Sequence, residues 1–182
     1  YALGMEVDFE HRSPKADDVI RIGMVDLQDN DRWIELGTSR AWNWQMGCCG
    51  EWLPGTGRRI IYNDRRDHRL VAVIRDLDTN GERVLPAPIG TVAPDGTWGL
   101  SLNFARLWRY RPETGFGGAD DPWSDQPAPS EDGLFRVDLA SGSSTLILSH
   151  KDLAVARRGA GDDAFGYFTH PAINENGSRV LF

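Results

Sequence analysis

Two short motifs alternate along the chain, and this alternation limits the possible folds more than any other feature. The first motif is an apolar strand closing on Asp-Leu, then a polar turn, then a second strand. It reads Ile22-Gly23-Met24-Val25-Asp26-Leu27, a turn over Gln28 to Arg32, and Trp33-Ile34-Glu35-Leu36. It returns as Val71 to Leu77, the turn Asp78-Thr79-Asn80-Gly81, and Glu82 to Leu85. A third copy runs from Leu134 to Leu139, through Ala140-Ser141-Gly142, to Ser143–Leu148. Asn-Gly and Ser-Gly between apolar runs mark hairpins, because glycine accepts the positive φ that such turns need.

The second motif is a turn feeding a strand. Its copies are Trp52-Leu53-Pro54-Gly55-Thr56-Gly57 before Arg58 to Tyr62, Val92-Ala93-Pro94-Asp95-Gly96 before Thr97 to Leu100, and Ala172-Ile173-Asn174-Glu175-Asn176-Gly177 before Ser178 to Phe182. Together the motifs make four-stranded antiparallel units of roughly 40 to 50 residues, the period of a propeller blade. The expected fold is all-β: a partial β-propeller of about three such blades from a larger ring. An open β-sandwich made of the same hairpins is the alternative.

The expected organisation is one partial domain over 1–182. A blade end occupies 1–38, a blade 39–88, an enlarged blade 89–150 with a long loop at 111–133, and the start of another blade 161–182. Lys151 to Ala160 reads as a short helix, and no other segment has helical periodicity. Tyr1 and the strand-like Val180-Leu181-Phe182 read as cut ends, since three blades do not close a ring. The remaining blades are then expected in a longer chain.

Hydrophobic residues make up 40% of the 182, enough to build a sizeable core. The net charge of −7 argues against non-specific nucleic-acid binding. No apolar run reaches the roughly 18 residues that read as a membrane span. Adjacent Cys48 and Cys49 form neither a disulfide framework nor a spaced zinc motif, and read as small, half-buried strand residues.

The stretch Ser39-Arg40-Ala41-Trp42-Asn43-Trp44-Gln45-Met46-Gly47, then Trp52-Leu53-Pro54-Gly55 and Ile60-Ile61-Tyr62-Asn63-Asp64, resembles the oligogalacturonate-lyase-like propellers, a branch near the TolB-type repeats. Ala93-Pro94-Asp95-Gly96, Leu102 to Leu107, Arg111-Pro112 and Gly115-Phe116-Gly117 extend the resemblance over roughly residues 20 to 182. The resemblance implies a seven-bladed ring, a carbon–oxygen lyase acting on acidic uronate oligosaccharides by β-elimination, and a divalent metal, typically Mn2+. It places His170, before Pro171, as a metal ligand. The family's Gln-x-x-His-x-His set has no counterpart in this sequence, and the resemblance puts it beyond Phe182. A non-catalytic TolB-like propeller, binding protein or glycan, is the rival reading.

β-Elimination removes a proton beside a uronate carboxylate. The step needs that carboxylate's charge neutralised and a base within hydrogen-bond reach. Arg106, at the edge of the long loop, is the candidate catalytic or carboxylate-binding residue. Arg40, Trp42, Gln45, Asn63, Asp64 and Arg65 are the candidate substrate-binding residues. In an extended strand, Trp42 and Trp44 share one face while Asn43 and Gln45 share the other. The rings are suited to stacking on sugars or to filling space between blades, and Asn63-Asp64 equally suits a simple turn. His11, His68 and His150 sit in polar contexts and are expected to face solvent.

Overall fold

The structure, a computed structural model, describes residues 1–55, 58–156 and 165–182. Both motifs form antiparallel pairs, and the strands fall into four small sheets. The first sheet holds Ala2–Glu6 (β1), Ile20–Asp26 (β2) and Arg32–Ser39 (β3) in that order. The second holds Glu51–Trp52 (β4), Arg59–Arg66 (β5), Arg69–Asp76 (β6) and Glu82–Leu85 (β7), again in chain order. The third contains Thr91–Val92 (β8), Trp98–Leu102 (β9), Gly133–Asp138 (β10) and Ser144–Ser149 (β11). The fourth pairs Ala172–Ile173 (β12) with Val180–Leu181 (β13). The fold is mostly β, and none of the sheets is closed.

The Asp-Leu motif turns because its aspartate ties the turn to itself. Asp76 Oδ1 accepts from Asp78 N at 3.1 Å, Thr79 N at 2.9 Å and Thr79 Oγ1 at 3.0 Å. Asp138 Oδ1 repeats the pattern with Ala140 N, Ser141 N and Ser141 Oγ. Asp26 Oδ1 keeps one such bond, from Gln28 N. These side-chain bonds replace ladder bonds at the turn, so the chain reverses there. In the second motif Asp95 Oδ1 accepts from Thr97 N and Oγ1, and Asn176 Oδ1 accepts from Ser178 N and Oγ. Gly57, assigned to the same motif from the sequence, lies outside the described residues.

The core divides into three parts. Ile20, Ile22 and Met24 of β2 meet Ile60 and Tyr62 of β5 and Val73 of β6. On the other face of the second sheet, Ile61, Ala72 and Ile74 meet Ile89, Val92 and Val137. Leu100, Leu102, Phe104 and Leu134 pack toward Phe168, Ile173 and Val180 of the fourth sheet. The register sets Tyr62 opposite Val73 and Ile61 opposite Ile74, so each cross-strand pair faces one core. Burial on both faces explains why β6 reads as an unbroken apolar run over Leu70–Ile74 and β5 as a shorter one over Ile60–Tyr62. Each fully buried Ile or Leu contributes about 1.5–3 kcal/mol of transfer free energy. Gly23 is required at its site: a Cβ there would lie 2.3 Å from the Trp33 ring.

Several local expectations need correction. Phe104–Tyr110 is a helix (α1), where no helical periodicity was expected. Asn103 Oδ1 caps it by accepting from Arg106 N, and Phe104, Ala105 and Leu107 are buried. Seven residues, most of them buried, leave no polar face to show a period. β1 was not read from the sequence at all. The expected helix at 151–160 is His150–Ala156 (α2), with Ser149 and Asp152 bonded reciprocally at its start. Residues 157–160 lie outside the described residues. Cys48 and Cys49 sit in a turn, not a strand, and burial pushes the Cys48 thiol up to about 12.

Candidate functional site

Several of the expected site residues are engaged by the fold itself. Arg106 is 1% exposed. Its Nε donates to Gly166 O at 2.7 Å, Nη1 to Trp123 O at 3.2 Å, and Nη2 to Gln126 O at 3.0 Å and Pro127 O at 2.7 Å. The guanidinium thus fastens the long loop by its main-chain carbonyls, and a substrate carboxylate would have to displace them. Asp121 stands 3.9 Å from Nη1. Asn103 Nδ2 donates to both Asp121 Oδ1, at 2.8 Å, and Asp132 Oδ2, at 2.9 Å.

His150 belongs to this buried cluster, which corrects the solvent-facing expectation. Its Nε2 is 3.7 Å from Asp132 Oδ2, and its Nδ1 has no hydrogen-bond partner among the described residues. Burial, reinforced by the Arg106 charge, pushes its pKa down to about 4, so the ring is neutral at pH 7. Burial also raises the Asp132 carboxyl above its usual range.

Asn63 is fully buried within β5 and forms no turn. Its Nδ2 donates to Cys48 O at 3.1 Å and Ile89 O at 2.7 Å, while Oδ1 accepts from Ile89 N at 2.7 Å. It therefore joins the second sheet to the segment leading into the third. Asp64 Oδ1 accepts from Arg40 N and Arg65 N, and Oδ2 accepts from Arg66 Nε. Arg65 Nη2 donates to Ala16 O and pairs with Asp17, both at 2.8 Å. Trp42 is core, its Nε1 donating to Asp18 O at 3.0 Å. The Arg40 side chain is exposed and has no hydrogen bond or ion pair among the described residues.

Gln45 and His170 meet at the surface. The 43–47 segment is a tight turn, not the strand expected, because Asn43 and Gly47 exchange backbone bonds of 3.0 Å. Asn43 Oδ1 accepts from Gln45 N and Met46 N, which folds the amide inward and leaves Gln45 at the tip. Trp42 and Trp44 rings still meet edge-on at 5.2 Å, with Trp44 exposed. Asn43 Nδ2 donates to Thr114 O at 3.0 Å, bringing the Arg111–Gly115 turn alongside. Gln45 Nε2 lies 2.9 Å from His170 Nε2, and His170 Nδ1 lies 2.8 Å from Thr169 Oγ1. With the amide nitrogen donating, the ring proton sits on Nδ1. His170 takes a φ of +48° just before Pro171, a conformation that costs a non-glycine residue roughly 1 kcal/mol or more.

Arg111 completes this surface, with Nη1 reaching the Tyr167 hydroxyl at 3.5 Å and Nε bonded to Glu113. Arg111 and Tyr167 were not singled out from the sequence. Arg111-Pro112 lay in the stretch carrying the resemblance, whereas nothing local marked Tyr167. The three segments thus carry a guanidinium, an imidazole, an amide, a phenol and an indole, with Gln45 touching His170 and Arg111 touching Tyr167. Such a set can bind carboxylates and hydroxyls and stack on an apolar ring face.

As a metal centre the surface falls short. Among the described residues, no three His, Cys, Asp or Glu side chains gather to hold a cation. His170 and Gln45 are two donors, where divalent transition ions take three or four from protein. His170 is the one ligand that the resemblance places in this sequence, and with Gln45 it does not complete a metal site. Set against family models, curated proteins and solved structures, the chain finds no match.

Proposed function

We propose that the four sheets are consecutive blades of a β-propeller similar to the oligogalacturonate-lyase-like branch, and that the surface at Gln45, Arg111, Tyr167 and His170 binds uronate oligosaccharides. In the complete ring these chains would be cleaved by β-elimination. The chain-order meander of each sheet supports the propeller reading. The contact between Gln45 and His170 carries the functional reading. It unites residues from the segments leading into β4 and β12, the first strands of two sheets. Arg111, whose Nε is bonded to Glu113, offers its remaining guanidinium N–H groups to the sugar carboxylate.

The engagement of Arg106 favours a second reading, a TolB-like binding platform without turnover. One experiment separates the two. The protein is incubated with oligogalacturonate, with and without Mn2+, while ultraviolet absorbance reports unsaturated product and calorimetry reports binding. Product formation supports the lyase. Binding that His170→Ala removes, without product, supports the platform. Failure to bind any uronate oligomer overturns the uronate site.

A further inference from the structure

A cleft of about 560 Å3 opens between the second and third sheets. Its apolar lining includes Pro86, Pro88, Leu102, Phe104, Pro122 and Trp123. The volume is that of a site for a small molecule, roughly 300–1,000 Å3. Phe104 separates it from the surface described above: the same ring approaches Gly90, which lies against Pro171 beside His170.

Asn103 and Asp132 in this cleft are bonded within the Arg106 cluster, but three other polar groups are uncommitted. Arg69, Asp120 and Ser101 line it, and none has a side-chain hydrogen bond or ion pair among the described residues. No other ring or cation stacks on Trp123 among the described residues. A guanidinium, a carboxylate and a hydroxyl beside an indole match the hydroxyl edge and the C–H face of a pyranose. Charge selects further. Asp120 balances the single charge of Arg69, so an anionic sugar entering the cleft loses hydration without gaining net attraction.

We propose that this cleft is a second sugar site that takes a neutral pyranose. It uses different residues from the uronate surface and has the opposite charge preference, so it goes beyond the function proposed above. A polymer mixing acidic and neutral sugars would engage both.

The test titrates the full chain with glucose, galactose, xylose, rhamnose and galacturonate, following each sugar by saturation-transfer NMR. At least one neutral sugar binds, and in the Gln45→Leu chain, which lacks the uronate surface, galacturonate binds about tenfold more weakly than galactose. Trp123→Ala and Asp120→Asn each weaken the neutral sugar about tenfold, the worth of one stacking or charged contact. Gln45→Leu leaves neutral binding unchanged while removing uronate binding elsewhere, so the two sites fail separately. Asp120 is exposed, so its variant keeps the fold even if Trp123→Ala disturbs the loop. Absence of binding by all four neutral sugars, equal affinity for galacturonate in the Gln45→Leu chain, or binding indifferent to Asp120→Asn overturns the proposal.

Discussion

The Arg106 cluster and the Gln45–His170 contact are made of similar side chains in opposite circumstances. Around Arg106, four carbonyl bonds and a nearby carboxylate surround a guanidinium that solvent barely reaches. Around His170, one amide and one hydroxyl meet an exposed ring. Buried polar groups must find partners within the protein, because desolvation without them costs about 1–3 kcal/mol each. Exposed ones exchange water for a ligand at little cost. The difference separates side chains that build the loop from those available to bind, although both had looked equally functional as sequence.

The largest effect that can break this contrast is at Arg106. Arg106→Met should destabilise the protein by about 3–5 kcal/mol, because Asp121 and several carbonyls lose their partner inside the fold. Urea unfolding measures it. A variant of unchanged stability that no longer binds uronates would move Arg106 to the binding side.

Asn63→Ala should cost about 2–3 kcal/mol by the same measurement, since Ile89 O and Ile89 N lose their side-chain partners and Cys48 O keeps only the residue 63 backbone N–H. The buried His150 adds a pH dependence. Its folded pKa of about 4 lies below the ordinary 6.5, so the unfolded chain takes up its proton first as pH falls. The stability it gives is complete above pH 6.5 and is lost on acidification toward 4. Between pH 7.5 and 5 the loss is about 2 kcal/mol, read from urea midpoints. Asp132, raised by burial, works in the other sense and flattens the decline at the acid end. His150→Asn should remove most of the slope, and a slope that persists would show that another group titrates.

The smallest stability effect belongs to His170. His170→Ala should change stability by under about 0.5 kcal/mol while abolishing uronate binding in calorimetry. A large loss of stability without loss of binding would place His170 with Arg106 instead.

The hairpins were legible because their cause is local: Asp76 and Asp138 bond their own turns, whatever surrounds them. The two-faced burial of β5 and β6 was legible in their apolar runs. The helix α1 was not, because Asn103 and the packing of Phe104 create it rather than a periodic pattern. The site was legible by residue type but not by arrangement. Gln45 and His170 were both singled out, yet their meeting depends on the Asn43 turn and on the long-range path of the chain. Period two misled at Trp42–Gln45 because a turn occupies that stretch. His150 misled because polar neighbours in sequence say nothing about the loop that covers it in space.

The division of the core into clusters between sheets has a consequence for how the molecule comes apart. Two of the three clusters lie between sheets adjacent in sequence, so opening one sheet strips cover mainly from those flanking it. Amide exchange should therefore sort by sheet, with β5 and β6 slowest because both flanks must yield before they are freed. The mostly local pairing also keeps loop closures short, so assembly can proceed as a zipper from any hairpin that forms first.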